Sequence, residues 1–249
     1  SGNQIGAIMA KYILEAHKNA GTLPENAALC KSIVSTDLVT KIAESYGATM
    51  FNVLTGFKFI AEKIQEFEEK HNHTYMMGFE ESFGYLIKPF VRDKDAIQAV
   101  LVVAELAAYY RSRGLTLADG IEEIYKEYGY YAEKTISVTL SGVDGAEQIK
   151  AIMAKFRENG PKEWNATEIT VVEDFKAQTS TAADGTVTAL TTPPSDVLKY
   201  TLADGSWIAV RPSGTEPKIK FYIAVVGESN EDSQAKIANI EAEINAFVK

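Results

Sequence analysis

The spacing of apolar residues over the first 130 positions predicts alternating helices and strands. From Gln4 onward, apolar residues recur at intervals of three and four, the period of an amphipathic helix. Two short apolar runs, 28–35 and 49–53, are typical of strands, and Asp37 between them is suited to cap a helix over 38–46. This alternation predicts an α/β domain with a mixed, partly parallel sheet covered by helices.

The pattern changes after residue 130, where several strands follow one another with a helix near each end. Residues 203–205, Ala-Asp-Gly, separate two such strands and indicate a hairpin, and the Ser/Thr/Ala/Gly-rich segment 179–192 indicates a loop or an edge hairpin. We expect a small α+β domain, an antiparallel sheet with flanking helices, and we place the two domains at 1–130 and 131–249. Strands are predicted at 135–140, 169–175, 198–202, 207–210 and 219–226, and helices at 146–158 and 231–248.

The most apolar run of the chain, residues 96–110, predicts a buried helix. It is too short for a membrane span and contains Gln98 and Glu105, so we predict no membrane partner. The start of the chain shows neither a basic cluster nor a signal-peptide core. The single cysteine, Cys30, excludes an internal disulfide, and we expect a cytoplasmic protein.

Charge and histidine content exclude two classes of function. The net charge is −9 and the pI is near 5.0, which argues against a nucleic-acid partner because phosphate backbones bind clustered Lys and Arg. The three histidines, His17, His71 and His73, have no metal-binding spacing, so no metal ligand is predicted in this chain. A phosphorylated small molecule would have to be attracted by local charge.

The segment Arg211–Pro217, between two apolar strands, has the composition of an anion-binding turn. Pro212 presets φ for the second position of a turn, and Gly214 permits backbone conformations that are closed to other residues. Such a turn can direct several N–H groups at one anion. An ordinary hairpin loop is the alternative, since the same residues satisfy the preferences of a type I turn.

Side chains around this turn add donors for a phosphate. Ser213 and Thr215 carry hydroxyls, and Arg211 carries a planar fork that suits two phosphate oxygens. Lys218 and Lys220 increase the local positive charge. These residues favour phosphate as the ligand.

Two segments of the first domain suggest binding of a ligand. Gly56, Phe57 and Lys58 lie where a strand meets a helix, a usual place for ligands in α/β sheets, although a plain connection is the alternative. In the segment 79–85 the acidic pair Glu80 and Glu81 and the hydroxyl of Ser82 are interleaved with aromatic residues, which is unusual for a solvated acidic loop. Carboxylates and a hydroxyl suit vicinal sugar hydroxyls.

Lys94 precedes the apolar helix. A lysine near an acidic pocket can hydrogen-bond a reacting oxygen or transfer a proton. The alternative is a surface charge that balances Asp93 and Asp95.

The motifs RPSGTEPKIK (211–220) and GFEESFG (78–84) resemble the C-terminal half of an α-D-phosphohexomutase, with most likeness to the phosphoglucomutase branch. The resemblance covers the whole chain. It implies that the first motif binds the substrate phosphate and that the second, with Gly56, Phe57 and Lys58, contacts the sugar. It assigns the phosphate to Arg211, Ser213, Gly214, Thr215 and Lys220, the sugar to Glu80 and Ser82 with Glu81, and a catalytic role to Lys94.

The resemblance also implies parts that this sequence does not contain. Such enzymes have three related α/β domains and a smaller fourth one, a phosphoserine and Mg²⁺, and they work through a sugar bisphosphate, here glucose 1,6-bisphosphate. The Ser-His-Asn loop and the Asp-x-Asp-x-Asp-Arg metal loop are missing from the sequence. We therefore expect the third and fourth domains of a longer polypeptide, with its N-terminal domains as partners and no activity by themselves.

Substrate choice is left open by the sequence. Phe83-Gly84 follows Ser82, where several branches have a histidine, and this favours a glucose phosphate. A phosphopentomutase or phosphomannomutase is the alternative, as is a sugar-phosphate-binding module without catalysis.

Overall fold

The computed structural model describes residues 1–140, 144–214 and 216–248. Contacts divide the chain into two compact units, Ser1–Gly129 and Tyr130–Lys249. Within the described ranges, no helix is long and apolar enough to cross a membrane.

The first unit is an α/β domain with a mixed sheet, as the sequence predicts, and this sheet has four strands. Its strand order is β2-β1-β3-β4, with β1 parallel to both β2 and β3, and β4 antiparallel to β3. Strand β4 was not predicted, because three residues are too few to show a period. The elements are α1 (Gly2–Asn19), β1 (Ala27–Ser32), α2 (Leu38–Ser45), β2 (Thr49–Val53), α3 (Phe57–Lys70), β3 (Thr74–Glu80), β4 (Gly84–Leu86), α4 (Ala96–Ser112) and α5 (Leu117–Tyr128).

The start of α2 differs from the prediction. Asp37 occupies the N-cap position but makes no capping hydrogen bond with its side chain. Its carboxylate lies 2.8 Å from Nζ of Lys31, whose side chain is fully buried. The Leu38 N–H donates instead to Oγ1 of Thr36. A buried ammonium needs a counter-charge more than a helix end needs a cap.

The prediction that residues 96–110 form a buried helix is wrong in its burial. The helix exists as α4, but its buried side chains are only Gln98, Leu106 and Tyr110. Ile97 and Val100 are 83% and 69% exposed. An apolar composition on all sides predicts that a helix packs against other protein on all sides. It does not specify whether the packing partner belongs to these 249 residues.

The second unit is an antiparallel sheet with two helices, as expected. The strand order is β5-β12-β11-β10-β7-β8-β9, and β6 pairs with β7. The hairpin across 203–205 and the edge hairpin within 179–192 are both confirmed. Gly142, which by its sequence should break the strand predicted at 135–140, lies outside the described residues. The elements are β5 (Tyr130–Thr139), α6 (Gly145–Asn159), β6 (Glu163–Trp164), β7 (Thr167–Asp174), β8 (Thr179–Ala182), β9 (Val187–Ala189), β10 (Leu198–Leu202), β11 (Trp207–Pro212), β12 (Lys218–Gly227) and α7 (Asn230–Val248).

The core of this unit lies between one sheet face and α6 and α7. Alternate residues of β11 and β12, such as Ile208, Val210 and Phe221, point into it and are fully buried. Met153 and Ile240 of the two helices belong to the same cluster. This packing fixes the hairpin of β11 and β12, which carries the predicted phosphate loop at its tip.

Candidate functional site

The acidic segment of the first unit is a tight hairpin between β3 and β4. Glu80 pairs with Gly84, so that only three residues form the turn. The last of them, Phe83, has φ of 65° and is 65% exposed. An aromatic residue in the left-handed region is uncommon, and it follows the exposed Ser82 directly.

Glu80 joins this hairpin to the start of α3. Its side chain is buried, and Oε1 accepts a 2.7 Å hydrogen bond from the N–H of Gly56. Gly56 precedes the first residue of α3 and has φ of 125°, a conformation that favours glycine. The anion at this helix N-terminus is therefore supplied by the chain itself, where it is stabilised by the helix dipole.

Three side chains converge at Gly84. A Cβ on Gly84 would lie 3.2 Å from Cδ of Lys94, 3.5 Å from Cδ2 of Phe57 and 3.6 Å from Oε2 of Glu80. We call Gly56, Phe57, Glu80, Gly84 and Lys94 the Glu80 cluster. The structure thus brings Lys94 beside the acidic segment, although 14 positions separate it from Glu80 in sequence.

The Lys94 side chain is half-exposed and already has two neighbours. Its Nζ lies 3.0 Å from Oδ1 of Asp93 and 5.9 Å from the centre of the Phe57 ring. The side-chain hydrogen bond from Lys94 lowers the pKa of Asp93. The cluster therefore presents one ammonium and one buried carboxylate to a ligand, a pair that suits hydroxyl groups.

Glu81 anchors the hairpin to β1. Its Oε2 accepts hydrogen bonds from Oγ of Ser32 at 3.0 Å and of Ser35 at 3.2 Å, and its N–H donates to Oγ of Ser35 at 3.0 Å. Both serines are fully buried. Sequence reasoning missed these serines, and the only signal for them is a polar pair at the end of an apolar strand.

Lys58 lies outside the Glu80 cluster. It is exposed, with Nζ 4.7 Å from the centre of the Phe59 ring, and none of the described carboxylates pairs with it. Nearby, Oγ1 of Thr55 is buried and has no hydrogen-bond partner. A buried hydroxyl without a partner is costly, and a ligand hydroxyl could satisfy it.

The predicted phosphate loop is the connection between β11 and β12. Arg211 pairs with Lys220, and Pro212 pairs with Ile219. Pro212 is therefore the last residue of β11, and the prediction that it is the second residue of a turn is wrong. Strand β10 pairs only as far as Val210. Pro212 is therefore tolerated, because β12 is its only neighbouring strand.

Arg211 and Lys220 lie side by side on adjacent strands, and Ser213 and Gly214 follow on the loop. The N–H of Ser213 donates to the Lys218 carbonyl oxygen at 2.8 Å, which closes the loop base. Thr215, which was predicted to contribute a hydroxyl, lies outside the described residues.

A pocket of about 600 Å³ lies between this loop and α6. It contains Arg211, Ser213 and Gly214, together with Lys150 and Asp196, which sequence reasoning missed. Lys220 is not in its lining. The sequence carries no signal for Lys150, because it is an exposed lysine outside the buried face of α6.

The acidic groups of this pocket are matched by cations. Asp196 pairs with the Arg157 guanidinium, and Glu216 pairs with Lys218 at 3.1 Å. No described carboxylate pairs with Arg211. An incoming phosphate would therefore meet an available guanidinium, with the nearby carboxylates already neutralised.

Over the residues that the structure describes, no three His, Cys, Asp or Glu side chains are grouped so that they could hold a metal ion. The donor sets of both units are suited to hydroxyls and to phosphate.

Models of two protein domains match the chain. Residues 1–128 match "Phosphoglucomutase/phosphomannomutase, alpha/beta/alpha domain III", and residues 145–246 match the C-terminal domain of the same family. The two matches follow the same order as the two units of the structure.

Similar proteins include bacterial phosphoglucomutases. The chain is 37% identical to a phosphoglucomutase of Staphylococcus aureus over 95% of its own length and 42% of that protein, and 37% identical to one of Staphylococcus haemolyticus over 96% and 42%. A solved structure of the Paramecium phosphoprotein parafusin, described as a phosphoglucomutase in its open form, supports the fold. It matches 99% of this chain and 40% of that one, with a TM-score of 0.64 and 17% identity.

Proposed function

Because the chain belongs to the phosphoglucomutase/phosphomannomutase family, we propose that it forms the last two domains of a phosphoglucomutase. The proposed enzyme interconverts glucose 1-phosphate and glucose 6-phosphate through a phosphoserine and glucose 1,6-bisphosphate. The observation that carries the proposal is 37% identity to phosphoglucomutases over nearly the whole chain, which spans 42% of their length.

In this proposal the Glu80 cluster binds the sugar. The Gly56 N–H holds Oε1 of Glu80 and fixes the carboxylate beside Gly84 and Lys94, and this carboxylate accepts from a sugar hydroxyl. Ser82 contributes a second hydroxyl contact beside it. Lys94 donates a hydrogen bond to the sugar oxygen that gains or loses phosphate, and so positions it.

The loop between β11 and β12 binds the phosphate that does not react. Arg211 provides two parallel N–H donors, and Ser213 and Gly214 provide the loop backbone. Thr215 and Lys220 complete the proposed set. Binding at the unreactive end positions the sugar without contributing to bond cleavage, so its loss should raise KM more than it lowers kcat.

Magnesium and the reactive serine belong to the rest of the polypeptide in this proposal. The described residues do not fit a metal site. When bound, magnesium would neutralise the charge of the transferring phosphate. The chain alone should bind sugar phosphates and should not convert them.

The test is the mutase reaction of the full-length polypeptide, measured with Arg211→Ala and Glu80→Gln. We expect Arg211→Ala to raise KM for glucose 1-phosphate at least ~10-fold, because a charge-assisted pair of hydrogen bonds is lost. Arg211→Lys is the matched control, since it keeps the charge and loses the fork.

Glu80→Gln should instead change the preference between glucose and mannose phosphates. A folded full-length protein without mutase activity would refute the proposal. Equal effects of both variants on binding of inorganic phosphate would refute the division between sugar and phosphate sites.

A further inference from the structure

The outer face of α4 is an exposed apolar surface. Ile97, Val100, Leu101, Ala104 and Ala108, which define this face, recur at three and four positions and are all exposed. Ile97 is 83% exposed, and Val100 and Leu101 are each 69% exposed. Of the seven large apolar side chains exposed in the described ranges, six lie between residues 83 and 101.

The attachment of α4 to its own unit does not use this face. Gln98, on another side of the helix, accepts hydrogen bonds from the N–H groups of Ile87 and Lys88 at 3.2 and 2.7 Å. Leu106 and Tyr110 are the buried apolar contacts. No charged residue occurs between 96 and 104, so covering the face from Ile97 to Ala104 would desolvate no charge of this stretch, and the first charge beyond it is Glu105.

The face is continuous with the Glu80 cluster. Asp95 follows Lys94 and caps α4 by accepting from the Ile97 N–H at 2.9 Å, while its own N–H donates to the Tyr85 carbonyl oxygen at 2.8 Å. A protein domain that packs on the outer face of α4 would therefore lie next to the residues proposed to bind the sugar.

We propose that the outer face of α4 docks against the part of the longer polypeptide that lies outside this chain. More than half of each phosphoglucomutase relative lies outside the region that the chain matches. A segment in the same polypeptide has a high effective concentration at such a face, and the reaction requires its reactive groups close to the Glu80 cluster. The proposal rests on the longer polypeptide of the proposed function.

Cysteine labelling tests the proposal without requiring turnover. The natural Cys30 is buried, and burial raises the pKa of its thiol to about 12, so it should not react near neutral pH. Val100→Cys would be prepared in the isolated chain and in the full-length polypeptide, and maleimide incorporation at residue 100 would be followed by peptide mass spectrometry. We expect a rate at least ~10-fold lower in the full-length protein.

Glu62→Cys, at an exposed position of α3, is the matched control and should react equally in both proteins. Leu101→Cys repeats the test in case the first variant is poorly folded. Because no turnover is measured, protection at residue 100 in an inactive protein would sustain the docking proposal and refute only the function.

Three outcomes would overturn the proposal. The first is equal labelling of residue 100 in both proteins. The second is slow labelling of the isolated chain that becomes faster on dilution, with a dimer in sedimentation, which would make a second copy the occupant. The third is a reading frame that encodes no further domain.

Discussion

Two adjacent glutamates in the β3–β4 hairpin have different surroundings. Oε1 of Glu80 accepts a hydrogen bond from the Gly56 N–H, and its Oε2 lies beside Gly84. Glu81 accepts hydrogen bonds from the buried hydroxyls of Ser32 and Ser35. A sequence motif of two acids cannot distinguish a ligand contact from a structural anchor, because the distinction depends on which partners the fold supplies.

Glu81→Ala should therefore reduce stability. The variant removes an acceptor from two fully buried serines, which still hydrogen-bond each other at 2.8 Å. We expect the free energy of unfolding to fall by about 1–3 kcal/mol, measured by urea denaturation of the isolated chain. Ser82→Ala, at an exposed position of the same turn, is the control, and a loss as large as that of Glu81→Ala would contradict the anchoring role.

At the scale of elements, helix α3 carries a surface charge network with a defined pH dependence. Glu66 accepts from Lys63 at 2.7 Å and from Lys70 at 2.9 Å. The hydrogen bond from Lys63 is the largest cause, followed by that from Lys70, and the pKa of Glu66 falls from 4.5 to about 2. A lowered carboxyl pKa stabilises the fold above the unfolded value.

We expect Glu66→Gln to destabilise the chain at pH 6 by less than about 1 kcal/mol, the range of exposed ion pairs. The difference from the unsubstituted chain should shrink as the pH falls below about 4.5 and vanish near pH 2. Urea denaturation across this range measures it, with Glu62→Gln as control. A difference that grew toward low pH would have the wrong sign.

The elements also show how far the sequence predicts this fold. Long periodic segments such as α1 and α6 are predicted well because their pattern repeats over several turns. Strand β4 is missed because three residues show no period. The burial of α4 is wrongly predicted, since composition records that Ile97 and Val100 favour an apolar environment and not which molecule provides it.

Some residues of the candidate site can also be predicted from the sequence, and others cannot. Arg211, Glu80 and Lys94 could be singled out from local chemistry and from the family motifs. Lys150, Ser32 and Ser35 could not, because they reach their neighbours only through the packing of α6 on the sheet and of β1 beside β3. Predictions fail where a contact depends on distant segments of the chain.

At the scale of the whole molecule, the chain carries a net charge of −9, while its proposed ligand is also an anion. Attraction must come from local cations such as Arg211, because the overall field repels the ligand. In the proposed function, the contacts of this chain are also only part of those in a polypeptide more than twice its length.

We therefore expect the isolated chain to bind glucose 6-phosphate with a dissociation constant weaker than ~1 mM, because the remaining contacts must offset the whole entropy of association. Calorimetric or NMR titration at low salt is the measurement. Arg211→Ala should abolish the weak binding that remains. Saturable micromolar binding by the isolated chain would contradict the expectation.

Strand β9 bears on how the purified protein behaves at high concentration. It is the last strand in the order of the second sheet, it has three residues, and all three are exposed. Pro193 and Pro194 follow it closely. A long open edge would be a template for strands of other molecules, but a three-residue edge near two prolines offers few free N–H and C=O groups. The β9 edge of this sheet is thus poorly suited to fibril growth.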